Sequence, residues 1–283
     1  MHVRGNKCSI AVAVFLSVFG MIRLALAEGD PDILYVPTPQ YVVNEMLEIA
    51  GTNTNDVVYD LGCGDGRFVI TAAQRYGARG VGIDIDPLRI RQSQSNAISA
   101  GVADQVKFIE ADLFKTDMSQ ASVVALYLLS ELNLRLRPKL FKELKPGSRI
   151  VSHDFDMDDW EPDVSGKLGK SFYYLWIVPA DVAGLWDVTL SLPEGPDMNY
   201  TIQAVQKFQK LDGHAVSEDQ AVEISDIRIK GDKVSFFLSR RISQWHVNMY
   251  FKGQVKGDSM SGSAQVEGGP YEGLHSWAAV RHE

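Results

Sequence analysis

The segment from Val57 to Arg67 constrains the fold of this 283-residue chain more than any other. It reads VVYDLGCGDGR, so an apolar strand ends in an acidic residue and is followed by glycines at positions 62, 64 and 66 and then by a helical pattern. Glycine has no Cβ, which lets the backbone turn from strand to helix and approach a bound molecule closely. The spacing of Gly62, Gly64 and Gly66 is therefore typical of a nucleotide-type cofactor site in an α/β sheet.

The region from Thr38 to about Pro179 alternates apolar strand patterns with helical patterns, which predicts a parallel sheet covered on both faces. The predicted strands are 56–59, 78–83, 106–109, 122–128, 148–154 and 171–178, and the predicted helices are 67–76, one beginning near 87, and 131–144. Acidic residues, Pro162 and two glycines interrupt the pattern over 156–170, where we expect a connecting loop. We expect strand 171–178 to be the last of the sheet.

Acidic residues follow the second and third predicted strands. Asp84, with Ile85 beside it, lies at the end of the second strand, in GVGIDIDP, and a carboxylate there can accept hydrogen bonds from a ribose diol. Asp112 could accept from an exocyclic adenine amine while Leu113 packs near the ring. These positions lie at the carboxyl ends of parallel strands, where open α/β sheets bind ligands.

Asp60 and Asp65, in the glycine-rich segment itself, are further candidates for cofactor contact. Aspartate is also a preferred helix-capping residue, so a purely structural role is the alternative for both.

At this point the sequence resembles the class I S-adenosylmethionine-dependent methyltransferases, through DLGCGDG as first motif and GIDID as acidic second motif. More narrowly, YVPTPQYVVNEML, LGCGDGR and LRPKLFKELKPGSRIVSHDFDMDDWEPD resemble the family of lysine methyltransferases that modify the ATP synthase c-subunit and the adenine nucleotide translocase. The resemblance covers about residues 35–178. It implies a Rossmann-like sheet, S-adenosyl-L-methionine as cofactor and protein N-lysine methylation. It also implies a lid over the cofactor at Tyr35, Pro37 and Thr38, which could otherwise form an ordinary loop.

The acceptor-binding sequence that many methyltransferases carry after the fourth strand, Asn/Asp-Pro-Pro-aromatic, is replaced here by LLSELN at 128–133, which disfavours DNA and glutamine N-methylation. A lysine acceptor must lose its proton, which a nearby carboxylate or a desolvated pocket favours. The candidate catalytic residues at the ends of the fourth and fifth strands are Glu131, Asn133, His153 and Asp154. Capping and turn roles require the same residue types, so each has a structural alternative.

The net charge of -8 argues against a broad electrostatic grip on nucleic-acid phosphates. We therefore expect a protein or small-molecule methyl acceptor and no nucleic-acid partner. The six histidines are scattered without metal-ligand spacing, so no metal site is predicted.

Residues 1–27 have the order of a secretory signal: basic Arg4 and Lys7, an apolar run over 10–22, and Ala25-Leu26-Ala27. Cleavage would give an exported protein, periplasmic or secreted. The alternative is an uncleaved membrane anchor, because 9–27 approaches the length of a membrane span, with Arg23 as the obstacle.

Past residue 181 the pattern changes to short alternating segments, so we divide the chain into a methyltransferase domain, 28–180, and a β-rich accessory domain, 181–283. Seven strands are predicted, at 185–192, 200–208, 225–229, 234–239, 246–251, 260–266 and 276–281. The Gly231-Asp232 and Gly257-Asp258 pairs suit type II′ hairpins. An all-β sandwich or small barrel follows.

This C-terminal part weakly resembles lipocalin-like barrels through Gly184-x-Trp186, FKGQVKGDSMSGSAQ, Trp277 and Arg281. Its interior could hold an apolar ligand or be filled by its own side chains, and its size favours filling. Two functions compete: a methyltransferase, or an exported binding protein that keeps the fold without turnover. The cofactor is made in the cytosol, so an exported enzyme would lack an evident supply.

Overall fold

The structure, a computed structural model, describes residues 36–193, 195–218 and 220–282. Within these ranges the chain forms four α-helices: α1 (Gln40–Ile49), α2 (Arg67–Tyr76), α3 (Pro87–Ser99) and α4 (Ser130–Glu143). Helix α3 begins where the sequence predicts, because Pro87 occupies its first turn and the Asp86 side chain accepts a hydrogen bond from the Leu88 amide at 2.7 Å. None of these helices has the length and apolarity that crossing a lipid bilayer requires.

Five parallel strands form the centre of the first sheet: β1 (Val57–Leu61), β2 (Arg79–Asp84), β3 (Val106–Glu110), β4 (Val123–Leu126) and β5 (Arg149–His153). Their order in the sheet is β3-β2-β1-β4-β5. The strands are parallel, and the strand order reverses between β1 and β4. Strand β4 is buried along its whole length, as its continuous apolar sequence predicts. The Rossmann-like α/β sheet is therefore confirmed.

Two antiparallel strands complete this sheet, and one of them corrects an expectation. β7 (Ser171–Ile177) pairs antiparallel with β5, and β6 (Val164–Leu168) pairs with β7 at the edge. The connecting loop predicted for 156–170 is thus wrong in its second half, whereas the strand predicted over 171–178 is, as expected, the last strand of this sheet along the chain. The segment VSGKL lies at the sheet edge with its side chains largely exposed, so it lacks the apolar alternation from which strands are predicted.

The C-terminal part is a closed antiparallel barrel, so of the two predicted architectures the barrel is the one formed. Its eight strands follow one another with short turns: β8 (Gly184–Ser191), β9 (Met198–Lys207), β10 (Lys210–Ser217), β11 (Gln220–Lys230), β12 (Lys233–Ile242), β13 (Trp245–Lys256), β14 (Ser259–Glu267) and β15 (Gly273–Arg281). The prediction of seven strands missed β10. Its buried positions are the small residues Gly213, Ala215 and Ser217, which leave no hydrophobic alternation in the sequence.

Side chains pack the interior of the barrel. Trp186, Leu238, Met249, Phe251 and Trp277 are buried there in one hydrophobic cluster, in line with the expectation of a filled interior. At both Gly-Asp turns the glycine has φ +59° and the aspartate does not have positive φ, so the first turn residue is left-handed, which a type II′ hairpin requires.

Candidate active site

A cavity of about 730 Å³ opens at the carboxyl ends of the parallel strands, where the strand order reverses between β1 and β4. This is the position at which open α/β sheets bind their ligands. Nine of the predicted cofactor residues line it: Pro37, Thr38, Asp60, Gly62, Asp65, Asp84, Ile85, Asp112 and Leu113. Gly64 and Gly66 lie in the same loop without lining the cavity, and Tyr35 lies outside the described residues.

Asp84 is held rigidly at the end of β2. Its Oδ2 accepts a hydrogen bond from the Gly64 amide at 2.9 Å, and its Oδ1 accepts one from the Asp86 amide at 2.9 Å. Each carboxylate oxygen can accept a second hydrogen bond, so the group can still receive a diol. Gly64 thus contributes through its backbone, by orienting the carboxylate that faces the cavity.

Asp60 places a carboxyl group with an altered pKa against the cavity. Its side chain is at the end of β1, and the residue is only 9% exposed. Burial, followed by the negative charges of Asp84 and Asp65, raises the pKa of Asp60 to about 8. A positively charged ligand would relieve this repulsion, so the site fits a cofactor that carries a sulfonium and an ammonium group.

Gly66 is required for packing. Its φ is +79°, and an added Cβ would lie 2.8 Å from side-chain atoms of Phe108 and of Ser93. The glycine therefore lets the start of α2 approach β3 and α3, and it shapes the cavity only indirectly.

Asp65 forms an ion pair with Arg67, with Oδ2 and Nη2 2.6 Å apart. Arg67 also donates from Nη1 to the carbonyl oxygen of Thr38 at 2.8 Å, and the Thr38 hydroxyl lies 3.2 Å from Nδ1 of His153. These contacts fix the segment before α1 over the cavity, where the resemblance places a lid.

Near the carboxyl ends of β4 and β5, the cavity is lined by side chains that are not among the predicted cofactor contacts. Tyr127, Leu129 and Leu132 come from the end of β4 and the start of α4, and Phe155 follows β5. The Tyr127 ring centroid is 4.0 Å from that of His153 and 6.0 Å from that of Phe155. Tyr127 and Phe155 were not predicted from the sequence, because the predicted strand 122–128 contains Tyr127 and no local signal marks either ring as part of a site.

None of the four predicted catalytic residues lines the cavity. Glu131 is exposed in the first turn of α4. Asn133 is buried, and its Nδ2 donates to the carbonyl oxygens of Phe155 and Asp156 at 3.3 Å. These hydrogen bonds hold the backbone that carries Phe155, which lines the cavity. The catalytic role predicted for Asn133 stays a prediction.

His153 and Asp154 lie together, with Nε2 and Oδ2 3.4 Å apart. Burial lowers the pKa of His153, and the Asp154 charge opposes that shift, so the imidazole is neutral near pH 7. Asp154 has φ +60° and accepts a hydrogen bond from the Phe172 amide at 2.7 Å, which joins β5 to β7. Both residues thus have structural partners in this region, and their catalytic roles remain untested predictions.

The chain is similar to known proteins over this region. Residues 60–164 match the family model of the ANTKMT methyltransferase domain. A protein-lysine N-methyltransferase from Saccharolobus islandicus is 47% identical over 133 residues, which cover 47% of this chain and 83% of the relative. The human lysine N-methyltransferase of the ATP synthase c-subunit is 32% identical over 129 residues, 46% of this chain and 54% of the relative, so the chain spans about half the length of that protein.

A solved structure matches as well. The crystal structure of an RNA methyltransferase from Salinibacter ruber, in complex with S-adenosyl-L-homocysteine, shares 53% sequence identity with a TM-score of 0.51. The match covers 52% of this chain and 96% of that one.

Proposed function

This chain belongs to the family of S-adenosylmethionine-dependent methyltransferases that the ANTKMT methyltransferase domain defines, and from this premise we propose that it methylates the side-chain nitrogen of a lysine in a protein. The observation that carries the proposal is the relative from Saccharolobus islandicus, because nearly half of its residues in the matched region are identical and the match covers most of its length. The cofactor predicted from the sequence, S-adenosyl-L-methionine, agrees with the product bound in the Salinibacter ruber structure.

S-adenosylmethionine, when bound, supplies a methyl group on a positively charged sulfur. In this proposal Asp84 accepts from the ribose hydroxyls, while Ile85, Asp112 and Leu113 surround the adenine. Asp60 and Gly62, which also line the cavity, would face the charged end of the cofactor.

The acceptor would enter at the end lined by Tyr127, Leu129, Leu132 and Phe155. These side chains are mostly apolar, and a low-polarity wall disfavours the charged form of an amine, so an inserted lysine loses its proton more readily. The chain's own contribution to the reaction is then to align the amine with the donor and to exclude water.

The proposal is tested by incubating the purified protein with S-adenosylmethionine that carries a radioactive methyl group and with heat-treated extract of the source organism. We expect radioactivity in the protein fraction, released as methyl-lysine on acid hydrolysis. Asp84→Ala should abolish labelling, whereas Asp104→Ala, which changes an exposed carboxylate outside the cavity, should label like the unaltered protein. Binding of the cofactor without any transfer would instead identify a binding protein without turnover.

A second candidate acceptor is RNA, because the Salinibacter ruber relative is described as an RNA methyltransferase. The net charge of -8 argues against it. Ribonuclease and protease digestion of the labelled extract separate the two acceptors, and label in the low-molecular-mass fraction would indicate a small-molecule acceptor. Label lost only on ribonuclease treatment would overturn the lysine proposal.

We also propose that residues 1–27 direct export or anchor the chain in a membrane, and that residues 181–283 form a lipocalin-like accessory domain next to a methyltransferase domain over 28–180. The first proposal rests on sequence alone, since residues 1–35 lie outside the described ranges. Mass spectrometry of the mature protein from cell fractions tests it: an N-terminus at Glu28 indicates cleavage, and an intact N-terminus in the membrane fraction indicates an anchor.

A further inference from the structure

The turn between β9 and β10 projects from the barrel onto the first sheet's domain. Phe208, at this turn, stacks on two aromatic rings, with centroid distances of 5.7 Å to Phe141 of α4 and 5.7 Å to Trp160. The guanidinium of Arg137, also on α4, lies 5.1 Å from the centre of the Phe208 ring. Phe208 packs against the hydrophobic core of the sheet although it belongs to the barrel.

Polar contacts from the same turn reach the segment between β5 and β6, which we call the 154–163 loop. The indole Nε1 of Trp160 donates to Oε1 of Gln209 at 2.9 Å, and Nε2 of Gln209 donates to the carbonyl oxygen of Glu161 at 2.6 Å. Trp160 is fully buried, and removal of Gln209 would take away the acceptor of its N–H. Ion pairs of Lys207 with Asp159 and of Lys210 with Glu161 are exposed and add little.

The beginning of the 154–163 loop forms part of the cavity wall. Phe155 lines the acceptor end, and its carbonyl oxygen accepts hydrogen bonds from the Ser152 hydroxyl at 2.6 Å and from Asn133 Nδ2 at 3.3 Å. Arg137 donates to the carbonyl oxygen of Met157 at 2.8 Å. The loop is therefore held near Phe155 by the sheet and α4, and at Trp160 by the barrel.

We propose that the barrel is a positioning domain, whose β9–β10 turn holds the 154–163 loop in the conformation that places Phe155 at the acceptor end of the cavity. The barrel interior is filled, so the outer surface is where it can act on a partner or on the rest of the chain. The family model ends at residue 164, before the barrel begins, so the barrel is an addition to the matched domain. The inference rests on the proposed function only in assigning this end of the cavity to the acceptor.

Hydrogen exchange of the full-length protein, read by mass spectrometry, tests the inference. In Gln209→Ala and in Phe208→Ala we expect the amides of the 154–163 loop to exchange about tenfold faster, the effect of losing one buried hydrogen bond or ring contact. Trp160→Phe keeps an aromatic ring and removes the N–H donor, so it should reproduce the Gln209→Ala result. Gln244→Ala, at the exposed turn between β12 and β13, is the matched control and should leave the loop unchanged.

Functional measurements on the same variants separate positioning from general damage. Affinity for S-adenosylmethionine should stay within about twofold, because the predicted cofactor contacts lie outside the loop, while kcat/KM for the protein acceptor falls about tenfold, the equivalent of one hydrogen bond. Exchange in β13 should not change. Unaltered loop exchange in Gln209→Ala and Phe208→Ala, or faster exchange with undiminished transfer, would overturn the inference. A wild-type protein that methylates no protein would refute the proposed function alone, since the exchange result does not depend on it.

Discussion

Asp60 is the carboxyl group whose ionisation the fold changes most clearly at the site. With a pKa raised to about 8 by burial and by neighbouring aspartates, it is largely protonated at pH 7 in the cofactor-free protein. A cationic ligand stabilises the deprotonated form, so affinity for S-adenosylmethionine should rise with pH up to about 8 and level off above it. Binding near pH 7 should release a proton, which calorimetry in two buffers of different ionisation enthalpy detects.

The amino group of the cofactor titrates in a similar range, so the Asp60→Asn variant provides the baseline. Compared with the unaltered protein, Asp60→Asn should release fewer protons on binding, and its affinity should rise less with pH. Both differences measure the contribution of the Asp60 carboxyl group. Identical pH profiles for the two proteins would show that Asp60 does not sense the ligand's charge.

Gly66 and Gly101 form a matched pair for testing the packing of the glycine-rich segment. Both have positive φ, but an added Cβ at Gly101 meets no atom within 4 Å, whereas one at Gly66 would overlap Phe108 and Ser93. We expect Gly66→Ala to lower the free energy of unfolding by about 2–4 kcal/mol and Gly101→Ala by about 1 kcal/mol. Urea denaturation measures both, and equal losses would mean that backbone strain alone accounts for the effect.

Strands β1 and β5 and helix α1 are joined at the amino ends of the strands by one buried charge network. Asp56, 4% exposed, accepts from Arg149 Nη2 at 2.7 Å and from the Ser122 hydroxyl at 2.7 Å, while Arg149 Nε donates to the carbonyl oxygen of Ala50. Asp56→Ala removes the carboxylate that pairs with Arg149 in this network. The free energy of unfolding should therefore fall by about 3 kcal/mol. The network lies at the opposite edge of the sheet from the cavity, so cofactor affinity should not change.

A double-mutant cycle checks the Asp56 prediction. If the two charges act as a pair, Asp56→Ala combined with Arg149→Ala should cost less than the sum of the single losses. Simple additivity would contradict the pairing.

The barrel closes between β8 and β15, and Arg281 contributes contacts across this closure. It donates to Asp258 Oδ1 at 2.7 Å and to the carbonyl oxygen of Asp181 at 2.9 Å, and its guanidinium lies 4.5 Å from the centre of the Trp186 ring. Arg281→Ala should therefore lower the stability of the protein by about 2 kcal/mol, measured by thermal unfolding. The control is Arg241→Ala, whose exposed side chain donates to the Ser243 carbonyl oxygen, and a comparable loss there would contradict the assignment.

Much of the first sheet could be predicted from local sequence. The strand, glycine turn and helix around Gly62 require particular residue types at fixed offsets, and Asp84 follows in the next strand for the same reason. The predicted strands and helices are present in the structure, but three elements, α1, β6 and β10, were not predicted. β6 and β10 are strands because of their neighbours and have little apolar pattern of their own. The candidate acceptor end could not be predicted, because Tyr127 and Phe155 meet only when β4 and β5 pair.

The amino-acid sequence alone was thus sufficient to indicate the family, the cofactor class and the carboxylates proposed to face the cofactor, since each of these depends on short segments. Long-range packing was needed to bury Asn133 and His153 behind the cavity, to close the barrel, and to bring Phe208 and Gln209 against Trp160. These contacts join residues far apart in sequence, and no local pattern specifies them.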